Sequence, residues 1–277
     1  MYHDQHTLTA AEIEGRWRIQ NPFLAELNAS EVAFSVASFA HTPTTNHAVF
    51  YLHGFGGRLT DTPYLEDCIC DRHRLVRMSL FGLDRINFRL ALATFGDVCA
   101  QIHNSAQAVS AIATRLNLDS FDVVAHSWGG MVAAVAGLKD TRCRKAMLLV
   151  SSPDICDVLE NMHQQHGLPG TAVFDLLVGP SLRWEAVSAK FGKSAYQEAW
   201  EQISPFRPRA NRALEMLIFN RCEDRIMRRG NVEYFERYAR EHRLATVKAE
   251  FIEIPESPHH DMPLDRFSAR LRKFLFQ

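Results

Sequence analysis

The chain has 277 residues, 47% of them hydrophobic and 23% charged, which suffices for one large buried core and argues against two independent domains. A formal net charge of -1 excludes the electrostatic pull toward nucleic acid or an anionic membrane that a basic chain would show. The opening Met1-Tyr-His-Asp-Gln-His-Thr-Leu8 lacks the basic and apolar regions of a secretory leader, and no run approaches the ~18 apolar residues of a spanning helix, so a cytoplasmic address is expected.

Residues 1 to about 30 read as peripheral, with a short helix-like patch over 11–17. The alternation of Val32, Phe34 and Val36 within 31–39 predicts an antiparallel edge strand with one wet face. After a turn-rich link comes His47-Ala-Val-Phe-Tyr-Leu-His53, an unbroken apolar run of the kind that builds strands buried on both faces. It stops at Gly54-Phe55-Gly56-Gly57. Glycines there let a backbone approach a ligand closely, as a loop must if its N–H groups are to point at a developing oxyanion; a tight strand-to-helix turn is the plain alternative.

The next strand is expected over 74–80, followed by helical periodicity from about Phe95 to Leu116. Then Val123-Val124 ends abruptly at Ala125-His126-Ser127-Trp128-Gly129-Gly130 and gives way to an Ala-rich helical pattern. Strand, sharp turn and helix in that order, with small residues two before and two after the serine, form a nucleophile elbow that lifts the Ser127 hydroxyl clear of both elements. A serine that merely caps the following helix is the competing reading. His126 is expected to pack beside the turn.

A further buried strand is expected at 144–150 with the exit loop Ser151-Ser-Pro-Asp154. Residues 155–208 change character, with helix-like pieces, Gly-Leu-Pro-Gly at 167–170 and aromatics such as Phe174, Trp184 and Trp200. They interrupt a strand–helix alternation that resumes at 213–219, so they read as an inserted helical cap on a core made of 1–154 and 209–277. A polar loop at 220–227 follows that strand, then a helix over 232–240 whose arginines and glutamates are a solvated face. The last strand, 247–254, leads to Pro255-Glu-Ser-Pro-His-His-Asp-Met-Pro263 and a terminal helix.

This order predicts an α/β fold: a mostly parallel sheet with helices on both faces and chemistry gathered beyond the carboxyl ends of its strands. Ser127, Asp224 and the His259-His260 pair each fall at such an end. A serine needs a base, and an imidazole base needs a carboxylate to hold its tautomer; serine, acid, histidine is the chain order linked to the elbow. Glu223 and Asp154 are the runner-up acids. The six cysteines are scattered through apolar patterns and are expected to be reduced, mostly buried thiols, and Cys68-Ile-Cys70 has the wrong spacing for a zinc knuckle.

With these segments in place, VFYLHGFGG (49–57), VVAHSWGG (123–130), LIFNRCEDRIM (217–227) and FIEIPESPHHDMPLDRF (251–267), the chain resembles the α/β-hydrolase superfamily over roughly residues 30–277, particularly its lipase-, esterase- and thioesterase-like branch with a helical cap. The resemblance implies Ser127 as nucleophile, Asp224 as acid, and the backbone N–H groups of Phe55 and Trp128 as the oxyanion hole. His260 is preferred as the base because an acidic residue, here Asp265, commonly follows the histidine by five positions; counting forward from the strand end favours His259 instead. Two departures stand out: the loop Ser79-Leu-Phe-Gly-Leu-Asp-Arg85 lacks the usual D-x-x-G-x-G-x-S, and Ala125 replaces the first elbow glycine. The implied activity is hydrolysis of an ester or thioester of a small or hydrophobic acyl group, without metal or cofactor. Cleavage of a C–C bond, acyl transfer, and a ligand-binding role without turnover are the rivals.

Overall fold

A computed structural model describes residues 2–13, 16, 18–19, 22–43, 45–54, 57, 64–81, 95–153, 211, 213–224, 227–253 and 264–277. Among these, the strands are β1 (Tyr2–Leu8), β2 (Val32–Ser38), β3 (His47–Leu52), β4 (Arg74–Met78), β5 (Ser120–His126), β6 (Cys143–Leu149), β7 (Glu215–Arg221) and β8 (Thr246–Ile252). The helices are α1 (Tyr64–Ile69), α2 (Phe95–Arg115), α3 (Trp128–Lys139), α4 (Arg229–Glu241) and α5 (Leu264–Phe276), with short 3₁₀ turns at Ala10–Glu12 and Pro22–Ala29.

The strands form one sheet in the order β1-β2-β4-β3-β5-β6-β7-β8. β1 and β2 run antiparallel to their neighbours, and every pairing from β4 to β8 is parallel. From β3 the chain steps outward to β4 through α1, then crosses back through α2 to β5 on the other side of β3. Right-handed crossovers in opposite directions place their helices on opposite faces. Accordingly, α2, α3 and α4 pack with one apolar cluster, and α1 and α5 with the other. The point where the winding reverses lies between β3 and β5, the place beyond whose strand ends open sheets of this kind bind their ligands.

The apolar run of β3 has its reason in this arrangement. Ala48, Phe50 and Leu52 face the α2–α3 side and Val49 and Tyr51 face the α1–α5 side, so both faces are buried. Phe50 meets Phe121 edge-on with ring centroids 5.2 Å apart, and each such side chain removed from water contributes roughly 1.5–3 kcal/mol.

One expectation is corrected. The segment at 31–39 does form a strand, but it is not the edge: β2 is flanked by β4 on one side and by β1 on the other. β1 has no apolar alternation to mark it in the sequence, since Tyr-His-Asp-Gln-His-Thr-Leu carries almost no apolar face; it is held by an unbroken register of backbone pairs from Tyr2↔Ser38 to Leu8↔Val32. The six-residue α1 was too short to register as a periodic pattern. The cap segment 155–208 lies outside the described residues.

Candidate active site

The turn between β5 and α3 puts Ser127 at φ 48° and ψ -117°, a conformation that L residues adopt only when their surroundings enforce it. Several contacts do so. The Ser127 N–H donates to Leu149 O at 2.9 Å, and the Ser127 carbonyl accepts from the Gly130 N–H at 2.9 Å and from Ser151 Oγ at 2.6 Å. A Cβ added to Gly129 would overlap the Leu52 carbonyl oxygen and lie 2.6 Å from His53 O. Glycine at 129 therefore lets α3 rest directly on the end of β3. Ala125 sits within β5, paired with Leu52 and Leu148 and fully buried, where extended backbone accepts a methyl group. That accounts for the departure from glycine at the first elbow position.

The glycine loop approaches the serine from β3. A Cβ at Gly54 would stand 2.9 Å from His126 Nδ1 and 3.1 Å from Ser127 Cβ, so only glycine fits between the loop and the elbow. His53, itself buried, ties the loop down. Its Nε2 receives the Leu80 N–H at 3.3 Å, which leaves the ring proton of the neutral imidazole on Nδ1, 2.7 Å from Gly54 O. The Gly57 N–H donates to the same carbonyl at 3.1 Å. Phe55 lies outside the described residues. Trp128 is the first residue of α3, where backbone N–H groups point out of the helix end and favour developing negative charge.

Sequence reasoning missed two networks behind this wall. Trp128 Nε1 donates to Gln101 Oε1 at 2.9 Å, Gln101 Nε2 reaches Ser105 Oγ at 3.3 Å, and that oxygen also takes the Phe81 N–H at 2.9 Å. Elbow, α2 and the loop after β4 are thus one hydrogen-bonded unit. On the other side, Ser151 and Asn220 bridge reciprocally: the Ser151 N–H donates to Asn220 Oδ1 at 2.9 Å and Asn220 Nδ2 to Ser151 O at 3.0 Å. Val150, a β-branched residue at φ 46°, precedes this bridge and donates its N–H to Phe219 O at 3.1 Å. The usable signals were a polar pair directly after buried β6 and an asparagine near the end of buried β7.

Asp224 follows β7, is buried, and its Oδ1 accepts the Met227 N–H at 2.8 Å, which orients the carboxylate. Glu223 beside it is exposed. His259, His260 and Asp154 lie outside the described residues. Of the cysteines, Cys68, Cys70, Cys99 and Cys143 are buried free thiols, and burial pushes the Cys70 thiol up to about 11. Cys222 is a half-buried free thiol, and Cys156 lies outside the described residues. Among the described residues, no group of three His, Cys, Asp or Glu side chains is arranged to hold a metal, and no helix is long and apolar enough to cross a membrane.

A serine–histidine–aspartate contact lies at the opposite, amino end of the strands. Ser120 Oγ is 2.9 Å from His47 Nδ1, and His47 Nε2 is 3.3 Å from Asp122 Oδ2. The His73 ring packs edge-on against His47 at 4.6 Å and tilted against Phe276 at 5.5 Å. Burial, followed by the neighbouring His47, lowers the His73 pKa below the usual histidine value.

Comparison with known proteins adds the family. Residues 49–271 match the alpha/beta hydrolase family, while no curated protein matches the chain. The proline iminopeptidase-related protein of Thermus thermophilus shares 17% identity at a TM-score of 0.53, over 99% of this chain and 98% of that one. The acetyl xylan esterase of Paenibacillus sp. R4 shares 12% at 0.58, over 89% and 80%, and Est1E of Butyrivibrio proteoclasticus 12% at 0.57, over 88% and 93%.

Proposed function

The chain belongs to the alpha/beta hydrolase family, and on that premise we propose that it is a serine hydrolase cleaving a carboxylic ester or thioester. The observation that carries this reading is the backbone of Ser127: a non-glycine residue at φ 48°, at the start of a helix, with Gly54 and Gly129 fitted against it. Strain of that kind persists only where surrounding structure over-determines it, and it holds a hydroxyl in place for attack.

In the proposed mechanism, His260 takes the proton of Ser127 Oγ as the oxygen attacks the acyl carbonyl, with His259 as the alternative base. Asp224 holds the imidazole and stabilises its cationic form. The N–H groups of Phe55 and Trp128 receive the oxyanion, each donor contributing roughly 3–4 kcal/mol in comparable sites. The imidazolium then protonates the leaving group, and a water deprotonated by the same histidine frees the acid and restores Ser127. Segment 155–208 acts as a cap whose aromatic and aliphatic residues select an uncharged, hydrophobic acyl group. The esterases among the similar structures support the ester reading at the level of fold.

The test is labelling by a fluorophosphonate probe together with turnover of p-nitrophenyl esters of increasing chain length. The wild type is expected to be labelled and active, and Ser127→Ala to be neither. A wild type that is neither labelled nor active defeats the proposal.

A further inference from the structure

Among the described residues the sheet ends on β1, and Tyr2–Gln5 and Thr7 of that strand are exposed. An outermost strand offers backbone N–H and C=O groups with no strand beside them, and sheets ordinarily blunt such an edge with lysine, proline or a bulge. β1 carries neither lysine nor proline, and its register with β2 runs without a shift through all seven pairs. The opposite edge is better defended: on β8, Lys248 is exposed and paired with Glu250 at 2.7 Å, and Glu250 is also bound by Arg270 of α5.

The sequence of β1 is complementary to its own reverse. In an antiparallel pair centred on Gln5, Asp4 of one copy stands opposite His6 of the other, His3 opposite Thr7, and Tyr2 opposite Leu8, each contact occurring twice by two-fold symmetry. Gln5 faces Gln5, an amide that both donates and accepts. Asp4 and His6 lie on the same face of the strand. His6 is steadied there by stacking on Phe34, with ring centroids 5.0 Å apart. The neighbouring two-fold registers lose this match: centring on Asp4 sets two carboxylates face to face, and centring on His6 sets two imidazoles face to face and Asp4 against Leu8. At the inner end, Arg115 Nη1 already donates to Thr7 O at 2.9 Å, so the open stretch is centred on Asp4, Gln5 and His6.

We propose that the outer edge of β1 is an interface between two copies of this chain, joined antiparallel about Gln5 into one continuous sheet. The interface is small and its association correspondingly weak. It is tested by sedimentation velocity on the whole chain from about 5 to about 500 µM, a range that brackets weak self-association. The wild type is expected to pass from monomer to dimer. Asp4→Lys, at an exposed position, weakens association at least about tenfold with an unchanged circular dichroism melt. The double exchange Asp4→His with His6→Asp restores it, because the same donor and acceptor again face each other. A wild type monomeric throughout, a dimer indifferent to Asp4→Lys, or a double exchange no better than Asp4→Lys would each overturn the proposal.

Discussion

The two ends of this sheet carry nearly the same residue types and differ in what those residues can do. At the amino ends of β3 and β5, serine, histidine and aspartate stand within hydrogen-bonding distance through Ser120, His47 and Asp122. At the carboxyl ends, Ser127 stands on a strained turn at the mouth of a helix, against a loop with room only for glycine. Ser120 occupies ordinary extended backbone as the first residue of β5, with its N–H turned to Asn46 O at 3.3 Å. No helix N-terminus or glycine loop accompanies it among the described residues. The lesson is that side chains in contact make a hydrogen-bonded bracket, whereas a nucleophile also needs a backbone that presents it and donors that receive the charge its attack creates.

This contrast breaks most visibly at the two serines. On the proposed mechanism, Ser127→Ala is expected to lower kcat/KM by roughly 10³–10⁶-fold, the loss that serine hydrolases show when stripped of their nucleophile, while Ser120→Ala stays within about threefold of wild type; ester turnover measures both. Equal losses would dissolve the distinction. The aspartates come next. Asp224→Asn is expected to cost about 10³–10⁴-fold in kcat with its circular dichroism melt preserved, whereas Asp122→Asn leaves kcat nearly unchanged and lowers the urea midpoint.

The glycines at the two ends of α3 separate in stability. Gly129→Ala forces a methyl group onto the Leu52 and His53 carbonyls and is expected to destabilise by on the order of 3 kcal/mol in urea unfolding. At Gly137 the added carbon meets the ends of the Leu214 side chain at 3.1 and 3.4 Å, which can give way, so Gly137→Ala changes stability by less than about 1 kcal/mol.

The smallest effect belongs to the amino-end cluster and is read in pH. The folded protein holds His73 below its usual pKa, chiefly by burial and then by His47, with Arg72 adding to the effect and Asp122 opposing it. As the pH falls below about 6.5 the unfolded chain takes up this proton first, so stability declines with falling pH toward the depressed folded value. His73→Phe keeps an aromatic ring between His47 and Phe276 and is expected to flatten that decline between about pH 7 and pH 5, measured as urea midpoints. A slope identical to that of the wild type would remove His73 as its source.

Legibility followed sequence distance. The apolar run of β3, the strand–turn–helix of the elbow and the periodicity of α2 are local patterns, and each element appears close to its expected bounds. What is written across long separations could not be read locally. His47 and Ser120 lie 73 positions apart, Ser151 and Asn220 lie 69 apart, and Gln101 and Trp128 are joined only when α2 packs on α3. β1 shows a different failure, since its pattern is polar and its place is set by backbone pairing with β2 rather than by burial. At the site, the small residues around Ser127 were informative because close approach is a local steric demand. The preference for His260 over His259 falls on residues outside those the structure describes.

Gly130 and Ser151 occupy a single volume. A Cβ at Gly130 would overlap Ser151 Oγ and lie 2.5 Å from its Cβ, while that same hydroxyl donates to the Ser127 carbonyl. The two positions are therefore one inherited choice rather than two. A lineage that acquires a side chain at 130 must first shed the one at 151, and the intermediate step leaves the carbonyl of the elbow serine without its 2.6 Å donor. The strained turn at Ser127 loses one of its restraints in that intermediate, so the pair is expected to drift together or stay fixed.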